Sequence, residues 1–305
     1  MLQNNLHFAG IYSIMKEKKN KTCLLTFDIE EWFQVENLRS VISKEDWDKQ
    51  TSTVAQNTNK ILEILNKYQI SATFFILGWL AERYPQLVEE IRDSGQEVAC
   101  HGYGHDLAYD QMDEDIINDI SHAKKILEKI TEQPVYGYRA PNFSINDRIL
   151  SHLKNLGFLY DSSYFPVKLH HRYGALNGLG EKIAPDLYKT DSGVCEIPTA
   201  TVPIAGKNIP IGGGAYFRIY PLWLFKRFVS WKLKSDSVYN MYLHPWEFEP
   251  EQEQVKNIKF NYKFRHYYGL KKTADKFEKL IKFLKDQGCA FQTMQGYVEK
   301  IGFRI

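Results

Sequence analysis

The sequence has few cysteines, no excess of charge of either sign and no long apolar run. Its four cysteines are far apart and form no C-x-x-C pair, and each lies in or beside an apolar stretch. We therefore expect buried free thiols rather than disulfides, as in a reducing compartment. Because 39 basic residues are balanced by 37 acidic ones, the composition does not favour a nucleic-acid-binding protein.

The longest apolar runs are too short for a membrane-spanning helix, which needs about eighteen residues or more. Residues 1–20 lack the apolar core of a signal peptide, and their basic run follows a weakly apolar part. We expect these residues to be a disordered extension and the protein to be cytoplasmic. Residues 21–305 contain no internal repeat or low-complexity linker, and their number suits one large domain.

Apolar runs of strand length alternate with segments of helical periodicity. Strands are predicted at residues 22–28, 71–77, 97–100, 135–139, 157–160, 238–243 and 290–293, and helices at 53–68, 80–93, 110–129, 146–156, 222–232 and 273–287. This alternation predicts parallel strands and an α/β fold, either a barrel or a doubly wound sheet. The Gly- and Pro-rich residues 166–221 interrupt it, with strand-like pieces at 187–190 and 194–198.

Polar side chains follow the ends of several predicted strands. They are Asp28 and Glu30 at the end of the first strand, His101 and His105 after the third, Arg139 at the end of the fourth, Asp161 after the fifth and His244 after the strand at 238–243. In barrels the carboxyl ends of the strands meet on one face, where active sites lie. We therefore expect these side chains to form a single site.

The HGYGH segment places His101 and His105 four residues apart across two glycines. Zinc accepts imidazole nitrogen and carboxylate oxygen, and a catalytic zinc site needs about three protein ligands. Two unrelated histidines capping a loop are the alternative. The acidic end of the first strand favours a metal site, with Glu30 as the third ligand.

The TFDIEEWF segment offers three carboxylates. Side chains two apart on a strand share a face, so Asp28 and Glu30 are predicted to point together and Glu31 away. One of the pair can bind the ion while the other takes a proton from water. Because strand geometry fades at the loop, Glu31 remains a second candidate ligand; a solvated acidic turn is the alternative for the whole segment.

Two further segments suggest partners for this chemistry. Arg139 near Asp28 would favour the ionised carboxylate, and the backbone N–H of Asn142 could face a developing oxyanion. His244 is placed to protonate a leaving amine, and Asp161 is a candidate to orient it. A structural salt bridge at Arg139, a core histidine at His244 and a helix cap at Asp161 are the alternatives.

The GGGAYFRIYP segment, residues 212–221, lacks the lysine and the glycine spacing of phosphate-binding loops. Tyr216 and Arg218 in this segment, and Trp246 beside His244, are candidate sugar contacts. A structural turn is an equal alternative for the glycine-rich residues.

Five of these segments resemble the ordered motifs of the polysaccharide deacetylases, the NodB-like carbohydrate esterases: TFDIEEWF, HGYGH, YRAPNFS, YDSS and LHPWE. The resemblance covers about residues 21–295. GGGAYFR and MYLHPWEFEP are similar to a subgroup found in exopolysaccharide gene clusters, so the part from about residue 165 is expected to be specific to that subgroup. The resemblance implies a distorted, TIM-barrel-like (β/α) barrel, commonly of seven strands, and a divalent metal, usually Zn²⁺.

The same resemblance matches Asp28 to the catalytic base, His101 and His105 to the metal histidines and His244 to the general acid. In the commoner pattern an aspartate directly follows the base, whereas here Ile29 follows and Glu30 must serve instead. The usual Asp-Trp of the fourth motif is not evident, which leaves the partner of His244 open.

These features predict a metal-dependent enzyme that removes N-acetyl groups from an amino sugar in an oligo- or polysaccharide and releases acetate. Without an export signal, a lipid-linked precursor at the inner face of the membrane is the expected substrate, and peripheral association with that membrane is expected. A hydrolase of cyclic amides or imides on the same scaffold, and a non-catalytic sugar-binding barrel, are the alternatives.

Overall fold

The computed structural model describes residues 21–167 and 173–303, so the extension expected at residues 1–20 lies outside the described residues. Its strands are β1 (Lys21–Ile29), β2 (Thr73–Ile76), β3 (Glu97–Cys100), β4 (Gly137–Tyr138), β5 (Tyr160–Asp161), β6 (Glu181–Ala184), β7 (Leu187–Lys189), β8 (Cys195–Glu196), β9 (Thr201–Ile204), β10 (Lys207–Pro210), β11 (Val238–Leu243) and β12 (Cys289–Phe291).

The helices are α1 (Val54–Tyr68), α2 (Gly78–Arg83), α3 (Pro85–Asp93), α4 (Asp113–Thr131), α5 (Asp147–Asn155), α6 (Gly214–Ile219), α7 (Leu222–Ser235), α8 (Phe260–Tyr267), α9 (Thr273–Asp286) and α10 (Met294–Lys300). Short 3-10 turns lie at Lys44–Lys49, Ala108–Asp110, Pro141–Phe143, Pro245–Phe248 and Leu270–Lys272. Within the described ranges, no helix is both long and apolar enough to span a bilayer.

Seven strands of the described chain lie side by side and parallel, in the order β11-β1-β2-β3-β4-β5-β8. β7 and β6 extend this sheet in antiparallel fashion, and β12 pairs with the start of β1. The segment after β8 reaches β11, because Ala200 N donates to Asn240 O (3.3 Å) and Tyr242 N to Gly212 O (2.7 Å). The sheet therefore curls, and the predicted distorted barrel is confirmed.

The two faces of β1 pack into different cores, as the period of two along a strand requires. Cys23, Leu25 and Phe27 belong to the large core between the sheet and the helices. Leu24 belongs to a smaller core with residues of β2, β3, β5 and β8, inside the curl of the sheet. Continuing this alternation, Asp28 points to the inside, at the carboxyl end of the strand.

Some predicted elements differ from the observed ones. The helix predicted at residues 80–93 is two helices, because Pro85 starts α3 and a proline inside one continuous helix would break its hydrogen bonding. The interruption predicted at residues 166–221 contains the β6–β7 and β9–β10 hairpins and α6, and α8 and α10 were not predicted. The four cysteines are free and buried, as predicted.

Candidate active site

Arg139 is a fully buried guanidinium that fixes the orientation of Asp28. Its Nη1 lies 2.6 Å from Asp28 Oδ1 and donates to Thr26 Oγ1 at 2.7 Å. Its Nε and Nη2 donate at 2.9 Å to the carbonyl and hydroxyl of Ser162, and the group lies 4.1 Å from the ring centre of Phe75. Because its donors are bound on several sides, the arginine holds the carboxylate at the end of β1 in one position.

Three side chains from the ends of β1 and β3 form a metal-ligand cluster. The donor atoms of Glu30, His101 and His105 all lie within 4.8 Å of one another, and His105 Nε2 is 2.6 Å from Glu30 Oε2. His101 Nδ1 lies 2.8 Å from the carbonyl oxygen of Arg139. Donation to that carbonyl would leave the lone pair of Nε2 for an ion, which is the usual support of a metal-binding histidine. Two imidazoles and one carboxylate fit a zinc site.

The charge states of His101 and Glu30 in this cluster also suit the binding of a cation. Burial lowers the pKa of His101 to about 4, so its imidazole is neutral at neutral pH. Burial raises the pKa of Glu30, but the neighbouring His105 and His244 outweigh it and bring the pKa to about 2. Neutral imidazole and ionised carboxylate are the forms that bind metals.

Glu31 lies outside this cluster, as strand parity predicts. Its carboxylate accepts hydrogen bonds from the hydroxyl of Ser52 and from the backbone N–H groups of Thr53 (3.2 Å) and Val54 (3.3 Å). These groups form the start of α1, where a negative charge is stabilised by the exposed N–H groups of the helix. Glu31 therefore anchors a helix.

His244 follows β11 and faces both carboxylates of the site. Its Nε2 lies 3.4 Å from Glu30 Oε1 and 3.9 Å from Asp28 Oδ2. Its Nδ1 lies 2.8 Å from Oε1 of Glu247. Burial lowers the pKa of His244, but Glu30 and Glu247 outweigh burial and raise it to about 9. The imidazole thus carries a proton at neutral pH.

The partner of His244 is Glu247 and not Asp161, which corrects the sequence-based expectation. Asp161 accepts hydrogen bonds from the backbone N–H and hydroxyl of Ser163 at 3.1 and 2.6 Å, four strands away from β1 in the sheet. Glu247 returns to His244 because Pro245 starts a 3-10 turn of about three residues per turn. The HPWE sequence resembles a capping box and could have signalled this contact.

Arg218 supports Glu247 and also belongs to the lining of the cleft, so its predicted contact with a sugar stays a prediction. Its Nε lies 2.6 Å from Glu247 Oε2. Its remaining nitrogens donate to backbone carbonyls of Arg265, His266 and Tyr268. Both members of the ion pair have side chains only 1% exposed, so the arginine positions the carboxylate behind His244.

The other predicted sugar contacts lie in different surroundings. Trp246 is buried, stacks 5.2 Å from His244 and donates from Nε1 to Glu30 Oε1 at 3.3 Å. Asn142 lines the cleft in a left-handed conformation with φ 53°. Tyr216 packs against Phe165 and Tyr220 and is absent from the cleft lining found in the described chain.

The glycine-rich segment before α6 is explained by close packing. A Cβ atom on Gly213 would lie 2.7 Å from the Tyr242 hydroxyl, and one on Gly214 would overlap the Glu247 carboxylate. The glycines therefore let this segment approach β11 and the turn that carries Glu247. Of the two alternatives for GGGAYFR, these contacts support the structural one.

One cleft collects the predicted base, ligands and acid. Its lining includes Asp28, Glu30, His101, His105, His244 and Glu247, together with Asn142, Tyr173, Tyr242 and Arg265. The first four lie at or just after the carboxyl ends of β1 and β3, and His244 and Glu247 come from the second half of the sequence. The strand pairing of β1 with β11 brings these two groups together.

Two family models match adjacent parts of the chain. Residues 15–160 match the family model described as Polysaccharide deacetylase. Residues 162–299 match a second model, described as a domain of unknown function, DUF3473. The first of these two parts is therefore similar to the polysaccharide deacetylases.

Curated relatives match the chain over about a third of its length. A peptidoglycan-N-acetylglucosamine deacetylase of Bacillus cereus is 35% identical over 101 residues, which are 33% of this chain and 47% of that protein. A chitooligosaccharide deacetylase of Azorhizobium caulinodans is 31% identical over 101 residues, 33% of this chain and 48% of that protein. The chain thus spans about half the length of these relatives.

Solved structures share the fold over nearly the whole chain. A Mycobacterium smegmatis protein assigned to the polysaccharide deacetylases has a TM-score of 0.58 at 19% identity, covering 93% of this chain and 91% of its own. A CE4 family pseudoenzyme of Bacillus anthracis has a TM-score of 0.51 at 15% identity, covering 91% of this chain and 65% of its own. At these identities the likeness concerns the fold alone.

Proposed function

We propose that this protein is a metal-dependent deacetylase that hydrolyses the N-acetyl group of an amino sugar in an oligo- or polysaccharide and releases acetate. The observation that carries the proposal is the cleft in which a three-ligand cluster, a separate carboxylate and a protonated histidine lie together. The named activities of the relatives, on peptidoglycan and chitooligosaccharides, support the same reaction class.

Glu30, His101 and His105 would hold the cation, and their donor set favours Zn²⁺. When bound, the ion would supply Lewis acidity toward the acetyl carbonyl and a lowered pKa for a bound water. The burial of all three ligands limits competition by solvent.

The protein side chains would manage the protons. Asp28, held in place by Arg139, would accept a proton from the attacking water. The backbone N–H of Asn142, at the cleft edge, is our candidate donor to the developing oxyanion. His244 would give its Nε2 proton to the departing sugar amine, while Glu247 holds Nδ1. The products would be acetate and a free amino sugar.

For the substrate, we propose an N-acetylated glycan carried by a lipid, as in exopolysaccharide assembly, used on the cytoplasmic side of the membrane. The mechanism above requires only the acetamide and enough of the sugar to fill the cleft. Soluble N-acetylated oligosaccharides should therefore be accepted as minimal substrates.

The test is an acetate-release assay on N-acetylated oligosaccharides with purified protein, with a chelator, and after zinc is restored. We expect acetate from the metal-loaded protein, loss with the chelator and recovery with zinc. Ring opening of small cyclic amides without acetate release would point instead to the other amide hydrolase. Tight sugar binding without acetate release by metal-loaded protein would indicate a binding barrel.

A further inference from the structure

Most of the large hydrophobic side chains that are exposed in the described chain belong to two helices or directly follow one of them. Of eight large hydrophobic side chains exposed in the described chain, five belong to α7, to α8 or to the residue after α8: Trp223, Trp231, Phe260, Phe264 and Tyr268. Phe260 is 83% exposed. Soluble domains seldom keep such side chains together in water without a binding role.

Three of these aromatic residues form a stripe along α8. Phe260, Phe264 and Tyr268 are spaced by four, so they lie on one side of the helix. The rings of Phe264 and Tyr268 are 4.8 Å apart. We call this stripe, with the exposed lysines beside it, the α8 surface.

The α8 surface is positively charged. Residues 256–272 contain five lysines, one arginine and no acidic residue, and Lys256, Lys259, Lys263, Lys271 and Lys272 are exposed. Lys271 pairs at 3.1 Å with Glu251, but both side chains are about three-quarters exposed and such a pair contributes little. Exposed aromatic rings flanked by lysines are typical of helices that lie in the interface of an anionic bilayer.

The opposite side of α8 borders the active site. Arg265 lines the cleft, and the buried ring of His266 stacks 4.5 Å from Trp246, which in turn contacts Glu30. One helix diameter, about 10 Å, therefore separates the aromatic stripe from the cleft wall.

We propose that the α8 surface docks this protein on a membrane that contains anionic lipids, with Phe260, Phe264 and Tyr268 inserted among the headgroups. Docking there places the cleft beside the bilayer, where a lipid-linked glycan would present its sugars. The placement of the cleft beside lipid-linked sugars rests on the proposed function. The docking of the α8 surface on the membrane does not depend on that function. A glycan-binding role is less suited to the charge, because deacetylation creates ammonium groups that the lysines would repel.

The test is co-sedimentation of the full chain with vesicles of phosphatidylcholine alone or with about one third phosphatidylglycerol. We expect binding to the anionic vesicles, weakened by salt, and about tenfold less binding to the neutral ones. Phe260→Ser with Phe264→Ser, and separately Lys259→Glu with Lys263→Glu, should each reduce binding to anionic vesicles about tenfold.

The matched controls lie on or beside α4. Lys125→Glu with Lys129→Glu repeats the charge reversal at the same spacing on an exposed helix, and Met112→Ser removes an exposed apolar side chain. Both should bind vesicles like the wild type. Equal losses in these controls, unchanged binding of the α8 variants, or no preference for anionic vesicles would overturn the proposal.

The vesicle assay needs no turnover, so the two proposals can fail separately. Asp28→Asn, which should abolish acetate release, should still bind anionic vesicles. The α8 variants should retain wild-type acetate release from soluble oligosaccharides. If soluble N-acetylated oligosaccharides displace the protein from vesicles, the α8 surface binds glycan and the lipid assignment is wrong.

Discussion

The Nδ1 atom of His244 lies 2.8 Å from Oε1 of Glu247, a carboxylate only three residues further along the chain. The second oxygen of that carboxylate is held by Arg218, so the imidazole is oriented by a buried ion pair.

Glu247→Gln keeps the shape of the side chain and removes its charge. We expect kcat for acetate release to fall about 10–100-fold, as when supporting partners are removed from other sites, with KM changed much less. Glu249→Gln, two residues away beside Lys60, is the control and should leave both constants near the wild type. A change in KM alone would mean that Glu247 serves binding rather than the orientation of His244.

Gly214→Ala should disturb the same carboxylate from the other side. The added methyl group would overlap Glu247, so we expect a loss of kcat like that of Glu247→Gln and a loss of stability of about 1–3 kcal/mol. Gly178→Ala adds a methyl group whose nearest neighbour, Gly180 N, is 4.0 Å away, and it should change neither. Steady-state kinetics and urea unfolding measure the two effects, and an unaffected Gly214→Ala protein would contradict the packing described above.

Asp28→Asn should separate catalysis from metal binding. We expect acetate release to fall about 10²–10⁴-fold, the usual contribution of a proton-transferring side chain. Bound zinc, measured by elemental analysis, should stay near one equivalent as in the wild type, because Asp28 lies outside the ligand cluster. The exposed Asp191→Asn is the control. An Asp28→Asn enzyme with ordinary turnover would remove this residue from the mechanism.

Adjacent glutamates give a matched test of the metal site. Glu30→Gln should lose the metal and with it the activity. Glu31→Gln should retain both while losing about 0.5–2 kcal/mol of stability, because its carboxylate accepts from the first N–H groups of α1. Metal content and thermal unfolding of the two proteins decide the matter. Zinc retained by Glu30→Gln and lost by Glu31→Gln would reverse the assignment.

Asp161 and Glu196 are buried neighbours in register on β5 and β8. Burial and the negative charge of Asp161 raise the pKa of Glu196 well above its usual value of 4.5. The folded protein therefore keeps a proton that the unfolded chain releases. The protonated Glu196 side chain contributes fully to stability below pH 4.5. This contribution is lost as the pH rises toward the raised pKa, at about 1.4 kcal/mol per pH unit.

Glu196→Gln removes this titration while keeping the side chain's size. We expect the variant to gain stability over the wild type progressively between pH 5 and pH 8, as measured by urea unfolding at each pH. The exposed Glu181→Gln is the control and should follow the wild type. If the free energy of unfolding of the variant changed with pH in parallel with that of the wild type, Glu196 would be ionised in the folded protein.

Much of the site could be predicted from the sequence by simple rules of strand geometry. The period of two along β1 places Asp28 and Glu30 on one side and Glu31 on the other, and the ends of parallel strands meet on one face. These two rules account for the cluster of Glu30, His101 and His105. Whether these residues perform the assigned chemistry stays a prediction.

The supporting contacts were harder to foresee because they join distant segments. Arg218 and Glu247 are 29 residues apart, and only the packing of α6 on the turn after β11 brings them together. A glycine-rich run reads equally well as a loop or as a packing surface until its neighbours are known. The same holds for Asp161, whose aspartate-serine motif fits the local turn that it makes with Ser163.

β1 pairs with β11, from Thr22 opposite Val238 to Phe27 opposite Leu243. This pairing combines, in one site, residues from two parts of the chain that match different family models. The proposed base and metal ligands lie in the part matched by the deacetylase model, but His244, Glu247 and Arg218 lie in the part matched only by the model of unknown function. Under the proposed mechanism, a substitution within residues 162–299 can therefore abolish acetate release while the proposed base and metal ligands within residues 15–160 stay intact.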